Sequence, residues 1–171
     1  MIKNSSKEKR PRLEIHRSFL ENAFEIGAII GVIASLIITI QIWPSLPSKI
    51  PAHYNIYGQI DRWGSKGGIL FLLPIIILMY LFLTILNQYP QKFNYPFEIT
   101  EQNAESQYHV ARIMVQALKL EVTWIFVYIQ WITIKGALGR EIGLGITFLI
   151  ISLLLVFGTI GVYMWRAFRD K

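Results

Sequence analysis

The sequence predicts an all-α integral membrane protein, a four-transmembrane-helix bundle with a structured extracytoplasmic loop. Composition is the first reason: 53% of the 171 residues are hydrophobic and 16% are charged, whereas soluble domains carry about 25% charged residues. The mean hydropathy of +0.43 is the second. The third is a set of long apolar segments separated by polar loops. Long stretches almost free of charge are typical of helices that cross a bilayer.

Each apolar segment has the length of a membrane-spanning helix. At about 1.5 Å per residue, a helix needs about 20 residues to cross about 30 Å of hydrocarbon. Because an open strand would leave its backbone groups unpaired in lipid, we expect all of these segments to be helical. The predicted spans are residues 26–43, 69–86, 113–134 and 144–165.

The distribution of basic residues predicts the orientation of the bundle. The segment 1–25 holds six Lys and Arg residues, Lys92 lies in the loop after span two, and the tail 166–171 holds three. The two remaining loops hold five, so the comparison is ten against five. The positive-inside rule therefore places both termini in the cytoplasm. Residues 44–68 then form a loop on the outer face of a plasma membrane.

Several classes of function are excluded by what the chain contains. Without cysteine there is no disulfide, thiolate nucleophile or cysteine metal site. The predicted topology puts His53 outside and the other two histidines inside, which excludes a three-histidine zinc site within one chain. The basic N-terminal segment lacks the folded basic face of a nucleic-acid-binding domain. We therefore expect no metal, cofactor or nucleic acid; the lipid bilayer is the expected partner, and a homo-oligomer is compatible with the sequence.

The loop 44–68 is dense in Pro, Gly, polar and aromatic residues. Pro47 and Pro51 restrict the backbone, and Gly58 permits a turn. These features predict a folded cap. The same loop is also a candidate surface for a peptide, a lipid headgroup or an ion, so the structural and the ligand-binding interpretations both stay open. The ligand-binding candidates are His53, Asn55, Asp61, Arg62, Trp63 and Lys66.

An enzymatic role has little support in this loop. His53 and Asp61 could act as a base and its orienting partner, with Ser65 as the nucleophile. The serine, however, has no Gly-x-Ser-x-Gly turn around it. We therefore expect a non-catalytic protein.

The third span carries a polar stripe at helical spacing, within one narrow arc of the helix. Either this segment leads into the membrane with Lys119 snorkelling, or the stripe lines a polar cavity. Glu25, at the inner end of span one, is a candidate partner for Lys119, whereas Glu121 falls on the opposite side of the helix. The candidate stripe residues are His109, Arg112, Gln116, Lys119 and Gln130.

A family resemblance lies in the loop, in the motif Leu46-Pro47-x-x-Ile50-Pro51-x-His53-Tyr54-Asn55-x-x-Gly58-x-x-Asp61-x-Trp63-Gly64-Ser65-Lys66. It resembles the signature of a bacterial membrane family, domain of unknown function 1648. That domain also forms the N-terminal part of SdpI-type immunity proteins, which protect their host from a secreted toxic peptide and sequester a repressor at the membrane. The resemblance implies a bacterial plasma-membrane protein, as a stand-alone four-span member.

Two function hypotheses follow. The first is a non-catalytic membrane protein that binds a peptide or lipid through the outer loop, for sensing or immunity-like signalling. The alternative is a small transporter or channel component that uses the polar stripe of the third helix.

Overall fold

In a computed structural model, which describes residues 10–140 and 143–171, the chain forms a helical bundle with one small sheet. Residues 1–9 of the predicted basic segment, and residues 141 and 142 between the last two spans, lie outside the described residues. The helices are α1 (Phe19–Ile42), α2 (Gly68–Asn87), α3 (Ala104–Ala137) and α4 (Gly145–Arg169).

The helices run alternately up and down around α3. Arg112 lies beside Glu21 near the start of α1, and Gln130 lies beside Ser35 farther along it, so α1 and α3 are parallel. The contact of Gln107 with the carbonyl of Ala167 shows that α4 runs the other way. Because α3 packs against all three other helices, it occupies the centre of the bundle.

α1 begins ahead of the predicted span. Ser18 caps the helix, since its Oγ accepts a hydrogen bond from the backbone N–H of Glu21, and the Glu21 carboxylate accepts one from the N–H of Ser18 at 2.8 Å. This reciprocal capping box satisfies backbone donors that would otherwise be unpaired at the helix start. The helix therefore starts at Phe19, within the segment predicted only as a basic leader.

Three helices are long and apolar enough to cross a membrane by length and composition: α1 with its short extension to Ser45, α2 and α4. Their outward faces present large apolar side chains, among which Phe71 is 72% exposed and Leu154 is 68% exposed. So much exposed apolar surface is typical of helices in contact with lipid. α3 is long enough to span but carries more polar residues, so its role as a fourth span stays a prediction.

The loop between α1 and α2 contains an antiparallel two-stranded sheet, β1 (Lys49–Tyr54) and β2 (Ile60–Ser65). The all-α description is therefore incomplete, although a structured cap was expected. The register pairs Lys49 with Ser65 and His53 with Arg62, with an irregularity around Ala52. Pro51 lies inside β1, which suits a two-stranded sheet because every strand in it is an edge strand.

Apolar clusters close the two ends of the bundle. At the end that carries the hairpin, which we call the hairpin end, Leu46, Ile50, Ile69 and Ile134 pack together. At the opposite end, the terminal end, α3 and α4 pack through Val110, Ala111, Tyr163 and Ala167. The layer between these clusters contains most of the buried polar side chains of the described residues.

Candidate functional site

Asn55 holds the tip of the hairpin. Its Oδ1 accepts hydrogen bonds from the backbone N–H of Tyr57 at 2.9 Å and of Gln59 at 3.0 Å. Gly58 follows with φ of +75°, a left-handed conformation that glycine adopts without strain. A side chain there would also overlap the backbone of Gly145. Asn55, a ligand candidate from the sequence, is thus engaged in turn formation.

His53 and Asp61 form an exposed pair on the hairpin. Nδ1 of His53 lies 2.6 Å from Oδ1 of Asp61, and the side chains are 54% and 40% exposed. Ser65 lies opposite Lys49, at the end of the sheet away from the His53–Arg62 pair. The register thus separates the serine from the His–Asp pair with which it would have to react.

The other loop candidates lie apart from one another. Arg62 is exposed opposite His53, and Trp63 is 51% exposed. Lys66 turns away, since its Nζ lies 4.6 Å from the centre of the Trp43 ring. The six candidates are thus brought onto one hairpin, but they do not converge on a single pocket.

A groove of about 400 Å³ runs beside Trp63, between the hairpin and the end of α3. Gln59 and Ile60 share the hairpin side of this groove with Trp63, and Arg140 stands on the other side. The rest of the groove is lined by Gly136, Gly139 and Gly143. Because these residues have no side chains, the backbone of an extended peptide can approach the groove closely. Arg140 was missed by sequence reasoning, because only the fold brings it beside Trp63.

The hairpin is attached to the central helix at two points. The hydroxyl oxygens of Tyr54 and Thr133 hydrogen-bond at 3.1 Å. Burial raises the pKa of the Tyr54 phenol above its ordinary value, and the contact with Thr133 offsets part of that shift. Ile50 packs with Ile134 one residue farther along α3. A displacement of β1 would therefore be transmitted directly to α3.

The polar stripe of α3 faces α1 and α2 rather than solvent. Arg112, Gln116, Lys119 and Gln130 are all buried, while His109 is half-buried. We call the buried polar layer between the three helices the polar seam. Its members are Glu21, Glu25, Ser35, Thr39, Tyr80, Thr84, Arg112, Gln116, Lys119, Thr123 and Gln130.

The charged half of the polar seam is centred on Glu25. Lys119 Nζ lies 2.7 Å from Glu25 Oε2, so the expected pairing of these residues is confirmed. Gln116 donates to the same oxygen at 3.0 Å, and the hydroxyl of Tyr80 donates to Oε1 at 2.5 Å. Lys119 also donates to Thr84 at 3.1 Å. The lysine is therefore fully engaged inside the bundle, and the snorkelling interpretation is wrong for it.

A second ion pair lies nearer the terminal end. Arg112 Nη2 lies 2.9 Å from Oε1 of Glu21, whose side chain is fully buried. Arg112 also donates to the carbonyl of Ile15 at 2.7 Å. Sequence reasoning missed Glu21, although its spacing from Ser18 is the signature of a capping box and its spacing from Glu25 places both carboxylates on one helix face.

The uncharged half of the polar seam is built around Gln130. Ser35 donates to Gln130 Oε1 at 2.7 Å, and Gln130 Nε2 donates to the carbonyl of Ser35 at 3.1 Å and to the Thr39 hydroxyl. All three side chains are buried. This interlocking set connects α1 with α3 through directional bonds, which apolar contacts alone do not provide.

Two glycines allow α1 to approach α3 closely. Gly27 and Gly31 have the Gly-x-x-x-Gly spacing common where membrane helices meet. A Cβ added at Gly31 would lie 2.7 Å from Cγ2 of Thr123, and the indole N–H of Trp124 donates to the Gly27 carbonyl at 3.0 Å. This motif is visible in the sequence and was overlooked.

In the described part of the chain, no group of three or more His, Asp or Glu side chains is arranged to hold a metal ion.

The comparison with protein families gives one match. A family model described as "Domain of unknown function (DUF1648)" matches residues 30–78, which include the second half of α1, the whole hairpin and the first half of α2. No curated protein and no solved structure matches the chain.

Proposed function

We propose that this chain is a non-catalytic, four-span plasma-membrane protein that binds a peptide bearing carboxylate groups at the hairpin end and transmits that binding to α3. The attachment of the hairpin to α3, through Tyr54 and Thr133, is the observation that carries the proposal. It places a ligand-accessible sheet in direct contact with the central helix of the bundle. A lipid headgroup would be the competing ligand.

The position of α3 supports its assignment as the fourth span. Its contacts with α1 extend from the Glu21–Arg112 pair to the Ser35–Gln130 pair, so α3 runs beside α1 along most of the proposed first span. The stripe residues Arg112, Gln116, Lys119 and Gln130 are shielded by α1 and α2, because each is paired within the seam. A central helix can therefore be less apolar than its neighbours and still lie in a bilayer.

Aromatic residues paired with cations lie at both ends of the bundle. Lys135 Nζ is 4.6 Å from the Trp131 ring centre at the hairpin end, and the Arg169 guanidinium is 4.9 Å from the Trp165 ring centre at the terminal end. Aromatic and basic side chains favour the headgroup level of a membrane. These pairs support a bilayer between the two ends.

A cysteine at the hairpin end tests the proposed orientation. The chain has no native thiol and Ser48 is exposed, so Ser48→Cys is expected to react with a membrane-impermeant maleimide in intact cells. The matched variant Ser106→Cys, exposed at the terminal end, is expected to react only after lysis. Measured labelling in the reverse order would invert the proposed topology.

The charges of the hairpin end favour an anionic ligand. Residues 44–68 and 135–144 contain five Lys and Arg residues against two carboxylates. Trp63 and Arg140 border the groove on opposite sides, and glycines line the rest. An extended peptide with an acidic side chain or terminal carboxylate would place its backbone on the glycines and its charge at the arginine.

A genetic experiment tests this function. Deletion of the gene is expected to increase sensitivity to at least one membrane-active peptide in a panel, which is the immunity-like role suggested by the SdpI resemblance. Wild-type protein should restore resistance. Trp63→Ala and Arg140→Ala should fail to restore it, whereas Trp165→Ala and Arg169→Ala, which remove a tryptophan and an arginine at the terminal end, should succeed.

The readout is the inhibitory peptide concentration, with each variant quantified in the membrane fraction. Full resistance from membrane-inserted Trp63→Ala and Arg140→Ala proteins would contradict binding in the groove at the hairpin end. No change of sensitivity on deletion, for any peptide in the panel, would contradict the immunity-like role itself.

The polar seam supports the alternative, a small transporter or channel component. Ionisable groups within a membrane commonly mark a transport route, and Lys119 and Glu25 are such groups. The seam side chains bond to one another, however, so transport would require the seam to open. This alternative predicts solute flux through the purified protein in liposomes. Flux that is reduced by Gln116→Leu but unchanged by Trp63→Ala would favour it over the hairpin proposal.

A further inference from the structure

Glu121 lies on the side of α3 away from the polar seam, against α4. Its Oε1 accepts a hydrogen bond from the hydroxyl of Thr159 at 2.5 Å. Its Oε2 is buried and has no hydrogen-bond partner among the described residues. Because Thr159 lies within the apolar helix α4, the proposed four-span arrangement puts this carboxyl group at membrane depth. A carboxylate there is costly unless a cation or a donor satisfies it.

Glu121 lines a groove of about 550 Å³ between α3 and α4, which is in the size range of small-molecule sites. The groove is mostly apolar, and its lining contains no Lys, Arg or His within the described ranges 10–140 and 143–171. Every carboxylate of the polar seam has a cationic partner nearby, whereas the groove around Glu121 supplies none. The groove thus combines an uncompensated acid with space for a ligand.

Aromatic rings line the same groove as this carboxylate. Trp124 and Tyr128 follow Glu121 by one and two helical turns on α3, and Phe148 faces them from α4. The Tyr128 and Phe148 rings stack with their centres 4.7 Å apart. Aromatic faces attract cations, and the attraction is strongest where water is excluded. Both the carboxylate and the rings therefore select for positive charge.

We propose that the groove between α3 and α4 binds a lipophilic organic cation, whose charge pairs with Glu121 and whose apolar groups contact Trp124, Tyr128 and Phe148. This site is separate from the hairpin and independent of the function proposed above. The occupant must be apolar enough to enter from the bilayer and positively charged enough to pair with the acid. A quaternary ammonium or phosphonium ion has both properties.

A purely structural role for Glu121 makes a different prediction. If the carboxylate serves only to hold Thr159, glutamine would serve as well, because its side-chain oxygen accepts the same hydrogen bond. Glu121→Gln would then leave both the fold and the ligand binding of the protein unchanged. The cation site instead requires the charge, so Gln and Glu should differ in binding while resembling each other in stability.

The test uses tetraphenylphosphonium, with tetraphenylborate as an anion of the same shape, and the full-length protein in detergent. We expect saturable binding of the phosphonium and none of the borate. Glu121→Gln should weaken phosphonium binding at least tenfold, while Glu121→Asp should retain part of it. Glu105→Gln, an exposed acid of α3 outside the groove, should bind like the wild type.

A second variant keeps the proposal falsifiable if Glu121→Gln does not fold. Ser152→Trp fills the groove from α4 while leaving Glu121 intact, and it should abolish phosphonium binding. Equal binding of phosphonium and borate, or unchanged affinity in Glu121→Gln, would overturn the proposal. The absence of saturable phosphonium binding would overturn it as well. This holds also if light scattering shows that the protein is a dimer, in which a second copy of the chain could occupy the groove.

Discussion

Replacing Lys119 by methionine is expected to destabilise the protein by about 3–5 kcal/mol, the usual cost of removing one partner of a buried ion pair. The Lys119 side chain is fully buried and that of Glu25 is 12% exposed, so solvent cannot replace the lost ammonium group. Glu25 would keep Tyr80 and Gln116 as donors, with Arg17 no nearer than 3.9 Å. Unfolding by SDS in mixed micelles measures the change.

The double variant Glu25→Gln/Lys119→Met separates coupling from general disruption. Removing both charges together is often neutral, because neither is then left unpaired in a medium of low dielectric constant. We therefore expect the double variant to be more stable than Lys119→Met alone. Lys92→Met, at an exposed lysine of the terminal end, should change stability by no more than about 0.5 kcal/mol. If the stability change of the double variant equals the sum of the changes in Glu25→Gln and Lys119→Met measured separately, the two residues are not coupled.

Gly31→Val is expected to separate α1 from α3 and to cost about 3 kcal/mol, the upper part of the range for overpacked sites. The new Cβ would lie 2.7 Å from the Thr123 methyl carbon and 3.4 Å from the Trp124 indole nitrogen. Both neighbours belong to the helix that carries the polar seam. The Ser35–Gln130 contacts lie one turn farther along, so they should weaken as well. Thermal unfolding in detergent measures this loss.

Gly161→Val is the matched control for this substitution. Gly161 lies in α4, and a Cβ added there meets nothing within 4 Å among the described residues. The two substitutions therefore share the change of residue type and differ in the space around it. Similar loss of stability in both variants would assign the effect to valine in a helix rather than to the contact between α1 and α3.

The buried polar residues show how far sequence reasoning reached at the candidate site. The spacing of Arg112, Gln116, Lys119 and Gln130 predicts that they share one helix face, because a helix repeats every 3.6 residues. The choice between a snorkelling lysine and a polar cavity stayed open. Periodicity reports which face is polar, but not which helix covers that face. Only the packing of α1 and α2 shows that Lys119 meets Glu25, Tyr80 and Thr84.

The hairpin also shows which features the local sequence predicts and which depend on packing. Its prolines and Gly58 predicted a folded cap, because they restrict or release particular backbone angles. The strands were missed because β1 contains Pro51. In addition, buried and exposed residues do not alternate regularly along β1. Their pairing depends on contacts with α3, through Tyr54 and Ile50, which lie far apart from α3 in the sequence. Arg140 joined the site for the same reason.

The sequence by itself determined the helical segments and the presence of a structured loop, because both depend on residues that are close together in the chain. The length of an apolar run is matched to the bilayer thickness, and prolines and glycines restrict or release local backbone angles. The apolar helices α1, α2 and α4 follow from length and composition alone. The tertiary structure decided what the polar residues do. Lys119 faces α1 and is neutralised there, whereas Glu121, only two residues later, faces α4 and has no cation beside it among the described residues. That difference depends on which neighbour each side of α3 meets, a property that arises only when the helices pack together.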